Sequence, residues 1–203
     1  MKKHPAIAVV EFSDIPAGMH ATDAMLKKAP IAFVKCGTIT RGRYLTLIGG
    51  STGSVDESLR EGLAQGGSSV LDHIMLADVH PRVYEAILGR RKPGSSGSLA
   101  IVETDTVAAS VRAAEAALKG TPVDLVEIRL ADAGLSGKGV SVYQGELSDI
   151  QAAVAIAAQY IQKVGVELRY RIISAPHEGL IRQIETSTWF GSQTVLDLDG
   201  EVV

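Results

Sequence analysis

Apolar and polar positions follow two rhythms along the 203-residue chain, and each rhythm occurs twice. Ile7 to Glu11 alternates weakly between polar flanks and predicts a strand. Ile15, Met19, Thr22 and Leu26 then recur at helical spacing. Ser13 or Asp14 stands where a side chain can accept the first free N–H groups, Pro16 suits a first turn, and Pro30 ends the helix. Strands are predicted near Ala32 to Gly37 and Tyr44 to Ile48. Val55, Leu59 and Leu63 share one face of a second helix, entered through a capping-box pattern of Ser54 and Glu57, and Val70 to Leu76 forms a last strand. The order returns in the second half. A helix carries Val107, Val111, Ala114 and Leu118 and stops at Pro122. Another carries Ile150, Val154, Ala157 and Ile161, with Gly165 placed to stop it. A strand follows over Glu167 to Ile173. The order β-α-β-β-α-β, twice, predicts an α+β class: two small sheets, each with two helices on one face.

The residues themselves repeat, as the elements do. At an offset of 92, nine of 24 positions match without a gap: Ala8/Ala100, Val10/Val102, Glu11/Glu103, Ala17/Ala109, Ala21/Ala113, Ala24/Ala116, Leu26/Leu118, Lys27/Lys119 and Pro30/Pro122. The match resumes after a three-residue insertion, with the stretch from Arg41 over that from Ser136, and a third stretch sets His80 over His177. Three matches in one order argue for duplication. Residues 1–88 form a first domain, 98–184 a second, 89–97 a linker rich in Gly, Ser, Pro and charge, and 185–203 a tail with no counterpart. The tail holds Trp189, the only Trp, and the acidic Asp197, Asp199 and Glu201; it reads as a mobile end or as an arm packed on a neighbour.

Composition narrows the function. A net charge of −3 leaves no electrostatic footprint for nucleic acid. The longest apolar run, Ala152 to Ala158, is seven residues, against about 20 for a bilayer span, and the N-terminal apolar stretch is too short for a signal peptide. The expectation is a soluble, cytoplasmic protein with no membrane partner. With one Cys, an intrachain disulfide is excluded. Aromatics are only 4% while Gly numbers 21, which suggests close backbone packing in place of ring-filled cores.

The candidates for chemistry are few. The turn Leu47 to Ser54 is Gly-rich and runs from strand to helix, but its spacing is neither nucleotide fingerprint, and its counterpart carries Glu146 and Asp149, which would repel phosphate. The shared Gly50/Gly145 fits a turn requirement. None of His4, His20, His73, His80 and His177 has a partner at metal-ligand spacing; the repeated His80/His177 reads as structural. Glu11/Glu103 reads as a turn or interface acceptor, since catalysis would need a second group. Lys27/Lys119 falls late in its helix, where the dipole favours a cation, and its recurrence allows an edge contact. Cys36 reads as a buried strand residue.

With the duplication and these motifs in view, the chain resembles the tandem-domain, non-permuted shell proteins of bacterial microcompartments. The carrying stretches are AVVEFSDIPAGMHATDAMLKKAP, TITRGRYLTLIGG, AIVETDTVAASVRAAEAALKGTP, GLSGKGVSVYQGELSDIQAA and ISAPHEGL, over about residues 6 to 185. The resemblance implies two tandem ferredoxin-like βαββαβ shell domains and a homotrimer that mimics a hexamer. It also implies a place in the shell beside other shell proteins, and a structural role without catalysis. It implies a pore for small polar metabolites at the threefold axis, lined by Thr40, Arg41 and Gly42 from the first copy and Gly134, Leu135, Ser136 and Gly137 from the second. Thr40 hydroxyls and backbone N–H groups near Gly42 and Gly137 would favour polar or anionic solutes, and Arg41 would strengthen the anion preference if it faces the axis. Lys27 and Lys119 match the family's lysine between neighbouring tiles. The Arg that often precedes the family's Pro-His pair is replaced by Asp78 and Ala175. Some tandem members hold an axial iron–sulfur cluster on a Cys two residues before the loop Gly; Thr40 stands there, which argues against a cofactor and leaves Cys36 as the sole candidate ligand. A competing reading with the same element order is a trimeric ferredoxin-like regulator of small ligands, for which the Leu47 to Ser54 turn is the candidate loop.

Overall fold

The computed structural model describes residues 6–93, 96–196 and 198; His4, Gly94, Ser95, Asp197, Asp199 and Glu201 lie outside them. The first copy runs β1 (Ala6–Phe12), α1 (Ile15–Lys28), β2 (Phe33–Ile39), β3 (Arg43–Gly50), α2 (Thr52–Gly66), β4 (Val70–Leu76) and α3 (Pro81–Ile87). The second runs β5 (Ser98–Thr104), α4 (Val107–Gly120), β6 (Asp124–Leu130), β7 (Gly139–Gly145), α5 (Leu147–Gln162), β8 (Leu168–Ile173) and α6 (Glu178–Thr186). Each copy folds into one antiparallel sheet, ordered β2-β3-β1-β4 and β6-β7-β5-β8. The α+β reading and the twofold repeat are therefore both present. The pattern missed α3 and α6, which are too short for a helical periodicity to stand out.

Alternation along β1 separates two cores. Ala6, Ala8, Val10 and Phe12 meet Ala21 and Met25 of α1 and Val55 and Leu59 of α2. Ile7 and Val9 point the other way, with Leu47 and Ile74, into a core that takes in Val83, Ala86 and Ile87 of α3 and continues through Val107, Val111, Ala114 and Leu118 of α4. The back of the first sheet is thus covered by a helix of the second copy. The Ala and Gly excess serves this close packing: a Cβ on Gly18 would come within 2.6 Å of Tyr44, and one on Gly62 within 2.5 Å of Met25.

The caps differ in part from expectation. Asp14, not Ser13, accepts from Ala17 N at 2.9 Å at the start of α1. Ser51 caps α2, accepting from Ser54 N at 3.2 Å, so the helix begins three residues before the Ser54–Glu57 pattern suggested. Serine at either place satisfies the same local pattern; β3, by running on to Gly50, decides which is used. Ser51→Ala is expected to cost about 1 kcal/mol and Glu57→Ala much less, read from thermal unfolding.

The segment from 89 to 93 is anchored. Lys92 N donates to Val126 O at 3.1 Å and its ammonium pairs with Asp124 at 3.1 Å, while Arg91 pairs with Glu127. The described tail also folds back on its own chain. Thr188 Oγ1 donates to Glu127 Oε2 at 2.8 Å, and Gln183 Nε2 to Thr194 O at 3.0 Å.

Candidate functional site

The most elaborate polar cluster lies where the copies join. Glu11, at the end of β1, is fully buried. Its Oε1 accepts from Arg43 Nη1 at 2.5 Å and its Oε2 from Val107 N at 2.8 Å. Val107 opens α4, so a carboxylate of the first copy satisfies an orphan N–H of the second and sits at the positive end of its dipole. Arg43 also donates to Gly137 O at 3.1 Å. Beside it Thr106 Oγ1 donates to Asp72 Oδ2 at 2.5 Å. Burial pushes the Glu11 carboxyl above the usual range, against the opposing pull of the Val107 N–H and Arg43. The cluster was legible only as the repeated Glu11/Glu103; its partners come from 32 to 96 residues away.

Further along the same seam, Lys119 Nζ donates to Asp78 O at 2.6 Å, and Glu115 accepts from His80 N at 3.0 Å. Lys119 thus reaches across the joint within its own chain. Lys27, its counterpart, pairs with Asp23 and is exposed. His80 and His177 are N-caps, their Nδ1 atoms accepting from Arg82 N at 3.2 Å and Gly179 N at 3.1 Å. This is a structural use, as the repeat suggested.

At one end of the seam the two β-hairpin loops meet. Arg41 (φ 70°) and Gly42 (φ 69°), in the three-residue connection Thr40–Gly42, both have positive φ. Ser136 (φ 48°) and Gly137 (φ 85°) repeat this after the insertion. Thr40 Oγ1 donates to Ala131 O at 2.7 Å and accepts from Gly137 N at 2.9 Å. That pairing takes the Thr40 hydroxyl and the Gly137 N–H out of the set offered to a solute, because the loops of one chain pack on each other before meeting any third body. Arg41, Gly42, Gly134 and Ser136 remain exposed, with Leu135 half-buried.

Cys36 is exposed, not buried. It lies on the sheet-edge strand β2, which the helix layer over β1 and β3 leaves open. Its neighbour Tyr44 has its phenol pushed up to about 12 by burial and then by the Cys36 thiol. Thr40 lies four residue steps beyond Cys36, about 13 Å along an extended strand. An iron–sulfur cluster needs thiolates; the loop offers a hydroxyl already bonded twice, so the residues present do not fit one. No group of three or more His, Cys, Asp or Glu able to hold a metal occurs among the described residues. The first two glycines of the Leu47 to Ser54 turn are closely packed. A Cβ on Gly49 would lie 2.0 Å from the Phe33 ring, and Gly50 packs against Ala32 N, so these glycines answer to close packing.

Comparison with known proteins agrees with this architecture. The BMC domain matches twice, over residues 6–81 and 98–176. A bacterial microcompartment shell protein of Citrobacter freundii, PduT, is 35% identical over 179 residues, covering 88% of this chain and 97% of its own. The crystal structure of a microcompartment protein from Desulfitobacterium hafniense DCB superposes with a TM-score of 0.76 at 33% identity, over 87% of this chain and 98% of that one. The fused permuted shell protein MSM0275 of the RMM microcompartment shares the fold alone, with a TM-score of 0.58 at 22% identity, over 81% of this chain and 88% of its own.

Proposed function

From the premise that this chain belongs to the BMC-domain family of bacterial microcompartment shell proteins, we propose that three copies close into a ring which tiles the shell facet and carries a central opening. The shell role itself is structural. The observation that carries the ring is an unequal pair of helices. In α4 nearly every face is buried, Val111 fully and Leu118 to 8% exposure, because its outer side lies on the back of the first sheet. In α1 the matching Met19 and Leu26 are 53% and 42% exposed. The helix that docks inside the chain thus has a twin whose outer face, among the described residues, is uncovered at Met19 and Leu26. A second copy offers the matching sheet back, around Ile101 and Ile173. Such a head-to-tail contact either closes or grows without end, and closure at three copies gives six domains around an axis.

In this ring the hairpin loops converge on the axis. Arg41, Gly42, Gly134, Leu135 and Ser136 line the opening, with Thr40 and Gly137 bracing them from behind. Three Arg41 side chains favour small anionic metabolites. The part is not a catalyst: buried Glu11, Glu115 and Glu127 are each consumed by structural partners. It carries no cluster, and its other partners are shell proteins at the tile edge, where the exposed Lys27 makes contact.

Sedimentation equilibrium should give three times the 21.3 kDa chain mass, and electron microscopy of the overexpressed protein should show flat discs, sheets or tubes. A monomer at micromolar concentration would sink the ring. Arg41→Glu should slow entry of anions into assembled shells without altering ring mass; unchanged anion transport overturns the lining.

A further inference from the structure

Resting on the ring just proposed, we infer that Glu103, Lys138 and Arg169 form the receptor for the start of α1, at Asp14 and Ile15, from a second copy of this chain. The joint inside the chain supplies the pattern. There Glu11 accepts from Val107 N, Arg43 donates to Gly137 O, and Asp72 accepts from the Thr106 hydroxyl. Strand register fixes each counterpart in the second copy. Glu11 stands opposite Asp72 in the first sheet, and Glu103 stands opposite Arg169 in the second. Lys138 takes the place of Arg43 beside the hairpin, and its ammonium lies 2.7 Å from Glu103 Oε1. Arg169 lies 3.3 Å from the same oxygen. On the incoming side, Ile15 takes the place of Val107, and Asp14 that of Thr106.

The substitutions between the two joints are complementary in charge. Inside the chain an acidic residue, Asp72, meets a neutral hydroxyl, Thr106. At the open joint the residue in the Asp72 position is Arg169, and the residue in the Thr106 position is Asp14. Sign has changed on the sheet and a carboxylate has appeared on the helix, so the open joint pairs opposite charges where the internal joint pairs a carboxylate with a hydroxyl. Within one chain Arg169 pairs with Glu103, Asp105 and Glu167, and Asp14 caps α1 by accepting from Ala17 N.

In the assembled ring the Glu103 carboxylate therefore accepts the Ile15 N–H of the neighbour, Arg169 pairs with its Asp14, and Lys138 donates to its hairpin carbonyl. The alternating charge also sets orientation. A second sheet placed on α4 would set Arg169 against Thr106 with no charge to meet, and a first sheet placed on α1 would oppose Asp72 to Asp14. Like charges brought together at an interface are costly, so the chain joins head to tail and not head to head.

The test is a rescue measured by sedimentation equilibrium. Arg169→Asp should weaken the ring at least about tenfold by opposing a carboxylate to Asp14. Adding Asp14→Thr, which recreates the Asp72–Thr106 pairing, should restore assembly. Asp14→Thr keeps a capping oxygen on α1, and far-ultraviolet circular dichroism checks the fold of each variant. Hydrogen exchange supplies a second reading: the Ile15 amide should be protected in the wild-type ring and lose protection in Glu103→Ala, while the Ala17 amide does not change. If the wild-type chain forms the ring and Arg169→Asp leaves it intact, or Asp14→Thr gives no rescue, the receptor is wrong and the ring stands. If the wild-type chain is monomeric at every concentration, the ring fails and the receptor with it.

Discussion

Glu11→Ala should destabilise the chain by about 3–5 kcal/mol, since it breaks a buried ion pair on one side only. The substitution leaves Arg43 without its countercharge and Val107 N without an acceptor, both at the seam that holds the copies together. Urea unfolding at fixed chain concentration reads the loss; a change under about 1 kcal/mol would show that water replaces the carboxylate. The pH dependence has a definite sign. Burial, the leading cause, raises the Glu11 carboxyl above its ordinary value of about 4.3. The folded chain therefore holds the proton more tightly than the unfolded one. The stability this contributes is complete below the unfolded value and is lost as pH rises through the folded one. Glu11→Gln cannot titrate, so its deficit against wild type should shrink as pH rises above about 4.

The second large effect comes from one substitution made at twin positions. Val111 is fully buried between the copies, and Met19, its counterpart, is 53% exposed. Val111→Asp forces a charge into the core shared by α4 and the first sheet. It should abolish cooperative unfolding of the single chain, a cost beyond the total stability of many domains. Met19→Asp should leave the fold and its circular dichroism unchanged while dissociating the ring to monomers. Equal damage at both positions would mean that α1 is not a docking surface, and intact rings in Met19→Asp would mean the same.

Much of the fold could be read from residues 6 to 185 alone. Periodicity placed the four long helices, the four strands of the first copy and the last strand of the second, and the repeat implied the remaining three strands. The repeated Glu11/Glu103 and His80/His177 were visible as pairs, and the roles given them, acceptor and structural residue, rest on local chemistry. The reading failed where a local pattern was satisfied in more than one way. Ser51 and Ser54 both suit a cap, and the end of β3 selects Ser51. Cys36 has the neighbours of a core strand, yet β2 is a sheet edge and its thiol is exposed. Thr40 looked like a pore hydroxyl and is instead bonded to Ala131 and Gly137, residues that lie 91 and 97 positions along the chain.

The sequence by itself determined the class of elements, their order, the duplication and the kinship with shell proteins. All of these follow from spacing and residue type along one dimension. Only the tertiary structure decided what sits between the copies: α4 laid on the back of the first sheet, Glu11 capping it, and the outer side of α1 exposed at Met19 and Leu26. The physical reason is that a duplicated helix has the same amphipathic pattern in both copies. Burial of its second face depends on whether a sheet stands behind it, and within one chain only α4 has a sheet to meet.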